Sequence, residues 1–268
     1  MLQSVVVPTC VADAIAALSS PGARVLGGGT VLMPEVNAGS DEIRTLVSLR
    51  RAGLSGVRVD GGVARIGAST TLAEVAETES LAFLAPALDA IASPIIRNMA
   101  TVGGNLFAKQ PYGDLAVCLI ALDATVEIEG PGGKRSEAVA DAVARPLAAG
   151  EIVTALSFPL PAAANFRFAK AGRKALNSAA VVTVAAVVET SGGVIERLRI
   201  GLGGVAAHAV RAWSVERALI GQPFDDKHVR AAAADAADDI DPFDDAHASA
   251  WYRARVTPVH IRRALLGA

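Results

Sequence analysis

The residues of this 268-residue chain best suited to chemistry are two glycine runs and one acid. The first run is Gly27-Gly28-Gly29-Thr30, followed by Val31. The second lies about seventy residues downstream, within Arg97-Asn98-Met99-Ala100-Thr101-Val102-Gly103-Gly104-Asn105. Adjacent glycines let a backbone come close to a ligand and present successive N–H groups to an anion. Thr101 and Asn105 flank the second run with polar side chains. Asp114 follows Asn105 by nine residues, inside Pro111-Tyr112-Gly113-Asp114 and just before the apolar stretch 115–122. That order suits a phosphate held on amides and a hydroxyl-bearing group held on a carboxylate. The first run is not a Walker loop, because no Gly-Lys-Ser/Thr follows it. Nor does it fit the Gly-x-Gly-x-x-Gly dinucleotide fingerprint, since Leu32 occupies the last glycine position.

The remaining reactive residues do not form a catalytic set. His208, His228, His247 and His260 all fall in the last third of the chain, away from both glycine runs, and none has a partner at metal-ligand spacing. Cys10 and Cys118 stand alone, which excludes a zinc or iron–sulfur site supplied by this chain and fits a reducing, cytoplasmic setting. Two phosphate-type loops without an acid, base or metal set imply that a bound cofactor carries the chemistry. A long ligand with a pyrophosphate in its middle suits two such loops, gripped by amides from both sides.

The elements that must position these residues can be read from periodicity and breakers. A strand over 3–7, a helix over 11–18 capped by Thr9, and a strand over 24–26 deliver the first glycine run at a strand end. A strand over 45–49 follows, then a hairpin pairing 57–59 with 63–66, and helices over 72–77 and 84–91, broken at Pro94. The second glycine run reads as a loop, and 115–122 as a buried element. Strands over 124–128 and 152–158 close this part, and the proline-rich 159–164 marks a boundary. Beyond it come strands over 166–170, 179–189 and 194–202, then helices over 214–219, 227–237 and 258–266. The expected fold class is α+β: a binding domain over 1–161, with subdomains of about 1–55 and 56–161, and a C-terminal α+β lobe over 162–268.

Hydrophobic residues make up 52% of the chain and aromatics only 4%, so its cores must be built from Ala, Val, Leu and Ile. A net charge of −2 gives no electrostatic basis for binding nucleic acid. No apolar run is long enough to predict a transmembrane segment, and the N-terminus lacks the pattern of a signal peptide.

The ordered motifs Gly27-Gly28-Gly29-Thr30, Ile66-Gly67-Ala68-x-Thr70-Thr71, Ile96-Arg97-Asn98-x-x-Thr101-Val102-Gly103-Gly104-Asn105 and Gly113-Asp114-Leu115 resemble those of the FAD-binding subunits of molybdenum hydroxylases. That family includes the medium subunit of aerobic carbon monoxide dehydrogenase and the flavin domain of xanthine dehydrogenase. Phe168-x-Lys170-x-x-Arg173 fits its C-terminal lobe. The resemblance implies two α/β subdomains around FAD. Gly27, Gly28, Gly29, Thr30 and Val31, with Thr101, Val102, Gly103, Gly104 and Asn105, would grip the pyrophosphate. Asp114 would meet ribityl hydroxyls, Ile152 would pack on the cofactor and Lys170 would lie near the flavin ring. It also implies a molybdopterin-binding large subunit and a [2Fe–2S] small subunit as partners, with electrons passing through FAD to an acceptor. Two departures stand out: Gly-Gly-Gly where many relatives carry Ala-Gly-Gly, and Asn177 in place of the usual acid. A non-catalytic nucleotide-binding module and a stand-alone FAD oxidase of the same fold are the alternatives.

Overall fold

The computed structural model describes residues 2–175 and 177–267. Three sheets follow one another along the chain. The first is parallel, β1 (Ser4–Val6), β2 (Ala23–Leu26) and β3 (Thr45–Ser48) in the order β1-β3-β2, with the helix Val11–Leu18 crossing between β1 and β2. The second holds β4 (Val57–Asp60), β5 (Val63–Gly67), β6 (Thr125–Gly130), β7 (Gly133–Ala138) and β8 (Ile152–Pro159), antiparallel in the order β4-β5-β8-β6-β7. Between β5 and β6 the chain leaves this sheet for a cluster of short helices. The third sheet contains β9 (Phe166–Gly172), β10 (Ala180–Ser191), β11 (Val194–Gly203) and β12 (Val210–Arg211), antiparallel in the order β12-β11-β10-β9. The fold class is thus α+β, as the sequence predicts.

The helix Asp114–Ala121 lies at the centre, with all eight of its residues buried. Its apolar side chains each contribute about 1.5–3 kcal/mol when fully removed from water, less for the alanines. The helix rests directly on β11, where glycines replace side chains. A Cβ on Gly201 would stand 2.2 Å from the Val117 carbonyl oxygen, and one on Gly203 2.5 Å from a Val117 methyl. On β10 the two faces serve different cores. Ala185 and Val187 join the core around the central helix, while Val182, Val184, Ala186 and Val188 pack under the C-terminal helices. Double burial explains why 180–188 reads as a nearly unbroken Ala/Val run.

Several elements depart from the sequence reading. The first helix is capped by Cys10, whose Sγ accepts from the Asp13 N–H at 3.5 Å, and not by Thr9. A cap bonds the amide three residues on, so a helix beginning at Val11 places the cap at position 10. The last helix begins at Ala250, not Pro258, and runs to Leu266 with Pro258 inside it. Proline removes the donor for the Ala254 carbonyl, but Ala254 is exposed and loses little by it. A short helix, Leu32–Asn37, follows the first glycine run where no element was expected.

Burial separates the two thiols. Cys10 is exposed, whereas Cys118 is wholly buried in the central helix. Burial, and secondarily the charge of Asp114, pushes the Cys118 thiol up, which keeps it protonated and unreactive. A thiol-specific chromogenic reagent is therefore expected to titrate one cysteine in the native chain and two in denaturant. Two native equivalents would contradict the burial of Cys118.

Candidate functional site

The two glycine runs come together. A Cβ on Gly28 would stand 1.7 Å from the Met99 carbonyl oxygen, and one on Gly27 2.7 Å from Thr101 Oγ1. Glycine is thus required at position 28, where the neighbour is backbone, for the first turn to lie against the segment leading into the second; at Gly27 the neighbour is the Thr101 side chain. Gly29 adopts a positive φ of 73°, which bends the chain out of β2. The N–H groups of Gly28, Gly29, Thr30 and Val31 make no backbone hydrogen bond outside regular elements among the described residues. Successive free amides at the end of a parallel strand form an anion-binding concavity.

The second run behaves differently. It is the start of a short helix, Val102–Leu106, capped by the Thr101 hydroxyl. Its amides point inward: Val102 N–H donates to Thr70 O at 2.9 Å, Gly103 N–H to Ala68 O at 2.9 Å, and Gly104 N–H to Thr101 Oγ1 at 3.2 Å. Of these acceptors only the Thr101 hydroxyl belongs to a side chain, so Gly104 is the bonded amide here that a ligand oxygen can take over, and the Thr101 N–H makes no hydrogen bond outside regular elements among the described residues. The run of successive free donors lies on the first turn, and the second supports it.

Asn105 carries the site onward. Its Oδ1 accepts from the Leu115 N–H at 3.1 Å, capping the central helix whose own N-cap, Gly113, has no side chain to do so. This bond fixes the helix start, and with it Asp114. The Asp114 carboxylate is held by two groups from the third sheet. Lys170 Nζ donates to Oδ2 at 2.7 Å and Thr183 Oγ1 to Oδ1 at 2.6 Å. The Lys170 and Asp114 side chains are only 9% and 4% exposed, so this pair is far less screened than a surface salt bridge. Lys170 also donates to the Ala90 carbonyl at 2.9 Å. Two of its three N–H groups are thereby used, and Lys170 lines a cavity of about 160 Å³ with Phe168, Gly172, Lys174 and Ser178.

Ile152 is placed elsewhere. At the start of β8 and 1% exposed, it packs with Ala14, Leu18 and Val47 in the core beneath the first sheet. Sequence reasoning missed Thr183 and Gln110. Gln110 ties the loop before Asp114 to the third sheet, Oε1 accepting from Gly204 N–H at 2.8 Å. The signal for Thr183 was present, as the one polar residue in the run 180–188.

This arrangement provides free amides for an anion at one end. At the other end, a buried carboxylate holds a partly committed ammonium that lines a cavity. Asn105 links the two ends.

Residues 2–161 match the model of the FAD binding domain in molybdopterin dehydrogenase, and residues 166–268 that of the CO dehydrogenase flavoprotein C-terminal domain. The carbon monoxide dehydrogenase medium chain of Afipia carboxidovorans is 33% identical, the match covering 96% of this chain and 93% of that one. The xanthine dehydrogenase FAD-binding subunit of Escherichia coli is 29% identical over 90% of this chain and 87% of its own. Among solved structures, carbon monoxide dehydrogenase from Hydrogenophaga pseudoflava superposes with a TM-score of 0.91 at 30% identity, covering 99% of this chain and 96% of that one.

Proposed function

Because the chain belongs to the FAD-binding flavoproteins of the molybdopterin dehydrogenases, we propose that it is the electron-transfer subunit of a heteromeric molybdenum hydroxylase. The observation that best supports this is the run of unpartnered amides from Gly28 to Val31, joined through Asn105 to the Asp114–Lys170 pair. These residues fit FAD. The first turn would bind its pyrophosphate, with Gly104 and the Thr101 hydroxyl on the other side, and Asp114 would accept from ribityl hydroxyls. Lys170, donor only, would face the ring system from the cavity wall. Bound FAD would supply the redox chemistry, taking electrons from a [2Fe–2S] partner and delivering them to an external acceptor.

The chain's own residues argue against direct oxidation of an organic substrate here. Oxidation at a flavin normally needs a positioned base. The polar groups around the cavity are Lys170, Lys174 and Ser178, and Lys170 is held as a donor by Asp114 and Ala90. The molybdenum chemistry is therefore assigned to a large molybdopterin-binding subunit, in the cytoplasm. Among the described residues no helix is long and apolar enough to cross a membrane.

The experiment is to purify the chain alone and together with the products of its neighbouring genes. The chain alone is expected to be yellow, to hold one FAD and to reduce dyes poorly with organic substrates. The co-expressed assembly should contain iron, sulfide and molybdenum and turn over rapidly. A colourless chain that takes up no FAD would favour a non-catalytic module. Rapid substrate-dependent dye reduction by the lone chain would favour a self-sufficient oxidase.

A further inference from the structure

Resting on the flavin reading, we infer that Thr183 is a positioning residue of the cofactor site, through which the C-terminal sheet sets the orientation of the Asp114 carboxylate. Thr183 is 0% exposed, on the β10 face it shares with apolar Ala185 and Val187. A hydroxyl buried in such a strand is costly unless it is paired, and here it donates to Asp114 Oδ1 at 2.6 Å. Its position across the ladder is equally informative. Thr183 on β10 lies directly opposite Lys170 on β9, so the sheet presents two side-by-side donors to one carboxylate.

The two donors have different consequences. Lys170 supplies a full charge, but its flexible stem and rotating ammonium leave the carboxylate plane loosely defined. Thr183 is β-branched, stiff about χ1 and wholly enclosed, so its hydroxyl fixes the second oxygen in space. With both oxygens held, the carboxylate cannot rotate, and the Lys170 ammonium is held in turn against Asp114 and the Ala90 carbonyl. Thr183 is not among the residues lining the cavity. Asp114 does not line it either, so any effect of Thr183 on a ligand there must pass through Asp114 and the Lys170 ammonium that Asp114 holds. Part of the cofactor site would then be built by the C-terminal segment, although the glycine turns and Asp114 all belong to the N-terminal one.

The test uses the full chain, stripped of flavin and titrated with FAD by fluorescence quenching. Thr183→Val keeps the shape and removes the hydroxyl. Thr183→Ser keeps the hydroxyl. Thr183→Ala against Thr183→Ser repeats the comparison in a smaller side chain, should the valine variant fold poorly. Loss of the hydroxyl is expected to raise the FAD Kd about tenfold to a hundredfold, the range for hydrogen bonds to a charged group. It should also shift the absorption bands and midpoint potential of the bound flavin. Thr183→Ser should stay within about threefold of wild type, since it retains the same kind of hydrogen bond. Wild-type affinity and spectrum in both hydroxyl-free variants would overturn the inference while leaving the FAD reading intact. Equal weakening by serine and alanine would overturn it too, because packing and not the hydroxyl would then be responsible. A wild-type chain that binds no FAD would remove the functional reading and this inference together.

Discussion

Gly28→Ala is expected to abolish flavin retention and to lower the melting temperature markedly, although it adds a single methyl group. The added carbon would stand 1.7 Å from the Met99 carbonyl oxygen and 2.9 Å from Ala100 Cα, so it meets backbone on both counts. Overpacking against movable side chains costs about 1–3 kcal/mol. Against a carbonyl the two turns must separate, and a loss of about 3 kcal/mol or more is expected, or roughly 6–12 °C for a chain of this size. Gly104→Ala supplies the contrast. Its Cβ would meet only the rotatable Thr101 hydroxyl, at 3.0 Å, so the fold should hold. Gly104→Val should also fold, while its branched side chain obstructs the approach of a phosphate to the Gly104 amide. Circular dichroism melts and FAD titrations of the three variants separate the roles. Gly28→Ala with wild-type stability would mean that the turns do not touch as described. Gly104→Val with full flavin occupancy would remove the second turn from the binding site.

The other large effect concerns Asp114. Read from the sequence, Asp114→Ala should lower FAD affinity while the fold survives, because the change creates no large cavity. The structure revises that expectation. Removing the carboxylate strands the Lys170 ammonium in a nearly solvent-free position, and breaking a buried pair in this way costs about 3–5 kcal/mol. The apoprotein should therefore be destabilised as well as impaired in FAD binding. Replacing both partners, Asp114→Leu with Lys170→Met, should recover part of the stability, because no buried charge remains although the Thr183 hydroxyl loses its partner. It should not recover FAD affinity. Denaturant unfolding and FAD titration of the single and double variants provide the measurement. A double variant that binds FAD like wild type would show the pair to be structural only.

Much of the architecture was legible because it rests on local signals. The glycine runs, the apolar 115–122 and the Ala/Val run of β10 each announce themselves within a dozen residues. The helix breaks at proline and glycine were equally visible, apart from Pro258, where an exposed carbonyl made proline tolerable inside a helix. What escaped was pairing across the chain. The Thr101–Asn105 run looked like a loop offering amides because its acceptors, Thr70 and Ala68, lie some thirty residues earlier in the sequence. Asp114 was expected to face a ligand, but its attachment to Lys170 and Thr183 comes from strands 56 and 69 residues further on. Gln110 went unnoticed because its partner, Gly204, is 94 residues away.

The position of the central helix also bears on how the chain is made. Asp114–Ala121 emerges from the ribosome roughly sixty residues before β10 begins, and at about 5–20 residues per second that interval lasts several seconds. Throughout it, the face of this helix destined for β10 and β11 has no surface to cover it, and the glycines of β11 on which it finally rests arrive later still. Vectorial synthesis therefore leaves the nascent N-terminal half carrying a sticky helix. Until the C-terminal sheet emerges, that face is open to association with other chains on the same polysome.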